Sequence, residues 1–308
     1  MGGAAGAEAA REREVTARGL TDLFIVYLVW GGTYLAIRIA VRPESGLPPF
    51  TMGLMRMLVA GTLLIGWSAL RGTFRRPDAR EMGILVGSGL LIWTGANGIV
   101  IWAEQGVDSS FAALLAATIP LWTVALNSLF DRRLPTGRVL MALLVGFLGT
   151  ALLVAPELRF GAVGERHYVQ LLILAPVSWS LGTLLQQRHP VRMGARLSAG
   201  YQMLFAAVGF TTLVLLTGEV RPEPTAAALL AWLYLVVFGS ILAFTAYVEM
   251  LQSLPVSLAM TYAYINPVIA VILGAWLLNE QVSWTTLLGA GLVLVSVAVI
   301  FREQAHRR

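Results

Sequence analysis

Apolar residues along this chain run in blocks separated by short polar breaks. Ten blocks are long enough to cross a bilayer as helices: residues 21–40, 50–70, 81–103, 108–130, 137–155, 168–187, 196–217, 227–250, 256–277 and 283–301. The loops between them leave little room for a soluble domain. The first twenty residues, MGGAAGAEAAREREVTARGL, alternate charges and lack an apolar centre. They fit neither a cleaved signal peptide nor a span, and are expected to form a mostly disordered tail. The pattern predicts an all-α integral membrane protein.

Polar residues inside the blocks carry the next layer of information. Thr261 to Val271 reads TYAYINPVIAV, with an asparagine and a proline deep in an apolar run. Proline there removes one helical donor and crowds the carbonyl of Ala263, which hydrocarbon tolerates only where neighbours or a water-lined cavity satisfy the freed group. The interruption has a counterpart. SFAALLAATIPLW (Ser110 to Trp122) is matched by SLAMTYAYINPVI (Ser257 to Ile269), with the serine and the proline each 147 residues apart. Thr33, Arg38 and Val41-Arg42 likewise recur 150 residues later as Thr183, Arg188 and Val191-Arg192. The expected organisation is a tail over 1–20, a five-span repeat over 21–155, a linker over 156–167, a second repeat over 168–301 and a tail over 302–308. Five is odd, so equivalent spans cross in opposite directions, as in the inverted repeats of many secondary transporters. Pro120 and Pro267 then fall near the bilayer centre as paired helix interruptions beside a central cavity, unless each is a kink that only improves packing.

Composition and charge fit this picture. The 308 residues are 57% hydrophobic and 13% charged, with mean hydropathy +0.74, too little charge for a soluble surface. Every basic charge is arginine, since no lysine occurs. With the amino terminus inside, sixteen of the 22 fall on the cytoplasmic side, and the positive-inside rule places both termini there. The net charge of +5 is accordingly topological, and no nucleic-acid partner is expected. Absent cysteine excludes thiolate nucleophiles and Cys-ligated metal centres. His167, His189 and His306 fall in loops or the tail, so no cofactor, metal or buried histidine relay is expected.

The strings PPFTMGLMRMLVAGTLL, AALLAATIPLWTVAL and PVSLAMTYAYINPVIAVILGAWLLNEQVSWTTLLGAGLVLV resemble the EamA-type carriers of the drug/metabolite transporter superfamily. The likeness extends over about residues 20–301 as two EamA units. Within that superfamily the chain is similar to bacterial inner-membrane exporters of amino acids, including aromatic ones. The resemblance implies a carrier that exports a small organic molecule from the cytoplasm across the inner membrane. One departure is that Phe130-Asp131-Arg132-Arg133 stands where the second half has Leu278-Asn279-Glu280-Gln281.

Candidate substrate-binding residues within the spans are Trp30, Tyr34, Trp93, Asn97, Trp122, Trp179, Thr183, Phe244, Tyr247, Tyr262 and Asn266. Aromatic faces suit an apolar side chain, and amides or hydroxyls suit the polar part of a zwitterion. The competing role for each aromatic is packing against lipid or a neighbouring helix. Trp67, Trp102, Trp232, Trp276 and Trp284 lie nearer segment ends, where interfacial anchoring is expected. Arg56, six residues into the second span, is expected to anchor at the outer interface, with recognition of a substrate carboxylate as the alternative. Glu104, Glu249 and Glu280 lie near span ends, and Glu249 is the candidate for proton coupling from a cytoplasmic vestibule. Protons are the coupling ion under consideration; facilitated diffusion or exchange fits equally. An enzyme is disfavoured because no HExxH, P-loop lysine or usable GxSxG is present. A sensor or channel is the remaining alternative class. Gly83 to Gly87 forms a GxxxG, a weak helix-packing signal.

Overall fold

A computed structural model describes residues 15–107, 109–132, 134–160, 166–278 and 283–305, and every regular element among them is a helix. The first fourteen residues, part of the expected linker (161–165), Arg133, Asn279-Glu280-Gln281 and residues 306–308 lie outside the described residues, as do the side chains of His167 and Trp276. Among the described residues, seven helical stretches are long and apolar enough to cross a membrane: Ala17–Val41, Pro49–Leu70, Ala79–Ala103, Phe111–Asp131, Ala195–Thr217, Ala226–Ser253 and Trp284–Glu303. The other three expected segments overlap helices Gly137–Phe160, Leu174–Arg188 and Tyr262–Leu278, which are not among those seven.

Local chemistry sets the helix starts. Helix α1 (Ala17–Trp30) begins after Thr16, whose hydroxyl accepts from the Gly19 N–H at 3.0 Å. Helix α4 (Ala79–Gly89) opens with a reciprocal capping box between Asp78 and Glu81. Helix α3 (Pro49–Leu70) places Pro49 in its first turn, where a missing N–H costs nothing. The turn before α3 is fixed by Gly46 at φ +67°, with the Glu223 N–H donating to its carbonyl at 2.8 Å. A Cβ there would collide with the Glu223 carbonyl, so only glycine fits.

Several stretches are broken, and each break re-aims side chains. α1 gives way to α2 (Thr33–Val41) at Gly31-Gly32. The stretch from α4 to α5 (Gly98–Ala103) passes through a π-helical turn over Leu90–Asn97. Its counterpart, from α12 (Ala226–Tyr234) to α13 (Ala243–Ser253), passes through a π-helical turn over Leu235–Leu242, 145 residues later at both ends. α6 (Ser109–Ala116) breaks at Ala117-Thr118, and α7 (Ile119–Asp131) follows with Pro120 in its first turn. The second proline behaves differently. Pro267 lies inside the continuous α15 (Tyr262–Leu278), whereas the break falls earlier, at Met260-Thr261 after α14 (Val256–Ala259). The paired interruption expected at the prolines thus holds its register at Pro120 but moves ahead of Pro267. A proline inside a helix costs one donor without ending it when packing holds the axis.

The helices pair in a defined pattern. α3 packs along α11 (Ala195–Thr217), and α8 (Gly137–Phe160) along α16 (Trp284–Ala305). α1 packs on α13 and α2 on α12, while α10 (Leu174–Arg188), which follows the short α9 (Arg166–Leu172), packs on the first π turn and on α7. Glycines let two of these pairs close. A Cβ at Gly61 would lie 3.0 Å from the Gly200 carbonyl, and one at Gly149 would lie 2.9 Å from that of Gly289. In the GxxxG from Gly83 to Gly87, nothing approaches within 4 Å of a Cβ built on Gly83, while one on Gly87 would lie 2.9 Å from the Leu185 side chain. Leu140, Leu144, Leu148 and Leu152 point outward at i, i+4 spacing on α8, as a lipid-facing row should. Trp67 and Trp284 are exposed near helix ends, in keeping with anchoring.

Candidate functional site

Four segments turn the same kind of face inward. Trp30, Thr33, Tyr34 and Ile37; Trp93, Ala96, Asn97 and Val100; Ala112, Leu115, Ala116 and Ile119; and Leu172, Ala175, Pro176 and Trp179 all line one central cavity. Each quartet is spaced i, i+3, i+4, i+7, one face of a helix continued across its break. Arg56, Tyr262 and Asn266 complete the wall. The lining is mainly apolar and aromatic with a few polar groups, the composition of a small-molecule site.

Arg56 departs most from expectation. It is 2% exposed, so interfacial snorkelling is excluded: α3 turns it inward. Its Nε donates to the Ser240 hydroxyl at 2.7 Å, and its Nη1 points to the Asn97 amide oxygen at 3.4 Å. The guanidinium carbon lies 4.9 Å from the centre of the Trp93 ring, a cation–π contact that strengthens away from water. Trp93 and Asn97 come from the first π turn and Ser240 from the second, where Gly239 lets the guanidinium approach to 3.2 Å of a would-be Cβ. Two equivalently placed π turns therefore hold one cation, and π turns are frequent at functional sites. No carboxylate pairs with Arg56 among the described residues. Trp93 Nε1 is also buried there without an acceptor.

The deeper end of the cavity is closed by aromatic rings. Trp30 contacts Trp179, Tyr247 and Tyr262 at centroid distances of 5.4, 5.2 and 5.0 Å. Trp30 Nε1 donates to the Gly239 carbonyl at 3.0 Å, and Trp179 Nε1 to the Tyr247 hydroxyl at 3.1 Å. That hydroxyl also bonds Thr183, and Phe244 stacks on the Tyr247 ring at 5.7 Å. Phe244, Tyr247 and Thr183 are fully buried behind the cavity rather than in its wall. Asn266, in the amide orientation its neighbours require, donates to the carbonyls of Tyr262 at 3.0 Å and Tyr27 at 3.3 Å.

Eight of the sequence-derived candidates meet at the cavity: Trp30, Tyr34, Arg56, Trp93, Asn97, Trp179, Tyr262 and Asn266. Trp122 does not, being 39% exposed on α7 and aimed outward. Pro120 is buried beside the lining residue Ile119, and Pro267 follows Asn266 along α15. Glu249 is outside the cavity lining and pairs with Arg18 at 2.9 Å. Thr33 and the alanines at 96, 112, 116 and 175 were missed. Their signal was the i, i+3, i+4, i+7 spacing around a recognised aromatic or amide.

The chain matches the EamA-like transporter family over residues 17–155 and 167–302. The inner membrane transporter YedA of Escherichia coli K12, itself uncharacterized, is 34% identical to it over 283 residues, covering 90% of this chain and 89% of that protein. An uncharacterized transporter of Archaeoglobus fulgidus is 21% identical over 294 residues, covering 92% and 97% respectively. A protein of known crystal structure superposes with a TM-score of 0.76 at 20% identity, over 94% of this chain and 98% of its own; at that identity the likeness is one of fold.

Proposed function

We propose, from the premise that this chain belongs to the EamA-like transporter family, that it is an inner-membrane carrier exporting small organic metabolites, neutral or aromatic amino acids foremost, by alternating access around the central cavity. The observation that carries the substrate class is the buried Arg56 guanidinium, held by Ser240, Asn97 and Trp93 with no counter-carboxylate among the described residues. A desolvated cation in a cavity wall is costly alone, and a ligand carboxylate relieves that cost with charge-assisted bonds. Aromatic faces opposite it suit an apolar or aromatic side chain, and Tyr262 and Asn266 stand near for an ammonium.

The proposed architecture is ten spans in two inverted five-helix units. Helix pairing supports it, because exchanging the halves turns the first-with-eighth contact into the sixth-with-third and returns the second-with-seventh and fifth-with-tenth contacts to themselves. The equivalent π turns support it as well. With both termini cytoplasmic, the lining residues lie in the outer half, and the Trp30–Trp179–Tyr247–Tyr262 cluster closes the inner side. This conformation then faces outward, and separation of that cluster opens the opposite side.

The decisive experiment is efflux from cells preloaded with dipeptides, measuring every released amino acid with and without the protein. Saturable, faster release of neutral or aromatic amino acids is expected. Unchanged release of all of them, with the protein present in the membrane, would remove amino acids and leave another metabolite of the same family. Release that never saturates would favour a channel.

A further inference from the structure

Two loops at one end of the α3–α11 pair, residues 71–78 and 189–194, are tied together by a single buried carboxylate. Glu81, 5% exposed, accepts from the Arg192 N–H at 2.7 Å, from the Asp78 N–H at 3.1 Å and from the Arg75 guanidinium. Arg75 Nε donates in turn to the Arg192 carbonyl at 3.0 Å, and the Tyr201 hydroxyl on α11 donates to the Arg75 carbonyl at 3.0 Å. One loop lies in the first stretch that matches the family and the other in the second, so Glu81 joins the two halves of the chain.

The tie gathers cations that no protein group uses. Arg71, Arg75, Arg76, Arg80, Arg192 and Arg196 lie in or beside these loops, against two carboxylates, Asp78 and Glu81. Asp78 caps α4 and Glu81 makes the tie. Arg76, Arg80, Arg192 and Arg196 are exposed, and their side chains make no hydrogen bond or ion pair among the described residues. The positive-inside rule accounts for the side on which these arginines fall. It does not account for loops of both halves being bound together so that the arginines meet.

An apolar stripe leads to the same place. Leu63, Trp67 and Leu70 are exposed on α3 at i, i+4, i+7 spacing, a face that hydrocarbon covers in a spanning helix. The Arg71 guanidinium lies over the Trp67 ring, 4.8 Å from its centre. Tryptophan marks the headgroup level, so the stripe passes from acyl-chain depth to the arginines within one helix.

We propose that this arginine-rich seam between the halves is a binding site for an anionic phospholipid, its phosphate held by exposed arginines of both loops and an acyl chain lying along Leu63, Trp67 and Leu70. Guanidinium forks match phosphate oxygens, and a zwitterionic headgroup brings a cation of its own that the arginines repel. Each arginine at an anionic lipid surface contributes about fivefold in affinity, so a headgroup held by two is favoured about 25-fold. The lipid bridges the halves where Glu81 already ties them. The site does not depend on which solute the carrier moves.

The test uses the full-length protein in phosphatidylcholine nanodiscs that contain a small fraction of lipid brominated on its acyl chains. Trp67 is the reporter, and the quenching lost in Trp67→Phe isolates it from the other tryptophans. At equal dilution, brominated phosphatidylglycerol should occupy the site about 25-fold better than brominated phosphatidylcholine. Combined Arg76→Gln, Arg80→Gln and Arg196→Gln should bring that ratio to about one, whereas Arg42→Gln with Arg221→Gln, exposed arginines outside these loops, should leave it unchanged. A wild-type ratio near one, or a ratio that survives the triple change, overturns the site. Equal loss in the Arg42 and Arg221 variant means a general charge effect and overturns it too. Displacement of the lipid by inorganic phosphate at matched ionic strength would make the occupant a soluble anion and overturn the lipid. Should the triple variant fail to fold, Arg80→Gln alone should lower the ratio about fivefold, and no change there overturns the site.

Discussion

At the scale of single residues, Arg56 shows how little linear position says about solvent. Six residues into an apolar span, it reads as a cation able to reach the interface. Its true environment is Ser240, Asn97 and Trp93, 37 or more residues away in sequence. Replacing it by methionine keeps volume and removes the charge. A charge-assisted bond is worth about 1.5–3 kcal/mol, so the expected result is a rise of about tenfold to about a hundredfold in the KM for efflux of carboxylate-bearing substrates, at equal membrane abundance. Lysine should not restore it, because a point ammonium cannot keep the planar contacts of guanidinium to Ser240 and Trp93 together. An unchanged KM in Arg56→Met would mean that the cation is a packing element and that the substrate's carboxylate, if any, is read elsewhere.

At the scale of elements, the breaks and close crossings matter more than helix propensity. Helices buried on several sides in lipid gain little from amphipathicity, and their mutual approach is set by small residues. Gly89 is the sharpest case, since a Cβ there would overlap the Gln202 backbone carbonyl on α11, which no side-chain rotation relieves. Gly89→Ala should lower stability by about 1–3 kcal/mol, the cost of overpacking, seen as a lower thermal transition of the detergent-solubilised protein. Gly66→Ala, with open space around it, should be neutral or slightly stabilising. Equal behaviour of the two would show that α4 and α11 do not approach as closely as described.

At the scale of the whole molecule, the proposed outer cavity and inner aromatic closure make a claim about access. The chain contains no cysteine, so single cysteines report without background. Both Ala96 and Ala246 are buried, but Ala96 lines the cavity, whereas Ala246 lies on α13 beside Tyr247 and outside the cavity wall. In right-side-out vesicles, Ala96→Cys should react with a membrane-impermeant thiol reagent, and Ala246→Cys should stay protected. A substrate that draws the protein toward the inward-facing state should slow the first reaction. Rapid labelling of Ala246→Cys from outside would mean that the aromatic cluster does not close the path.

The amino-acid sequence by itself determined the solvent, the helical class, the bounds of the seven membrane-length helical stretches to within a few residues and the internal echo around Pro120 and Pro267. These are properties of runs and spacings, and hydrocarbon demands them of any chain that crosses it. It also yielded eight residues of the cavity, because large aromatics and amides inside apolar spans are few enough to stand out. Which of them face one another was decided by tertiary structure. Trp122 and Trp179 look alike in sequence, but rotation of one helix about its axis sends the first outward and the second into the cavity. The inward turn of Arg56, the paired π turns that hold it and the shift of the second break to Met260-Thr261 all arise from contacts between segments distant in sequence. Local patterns fix what a helix is made of; its neighbours fix which face it shows and where it bends.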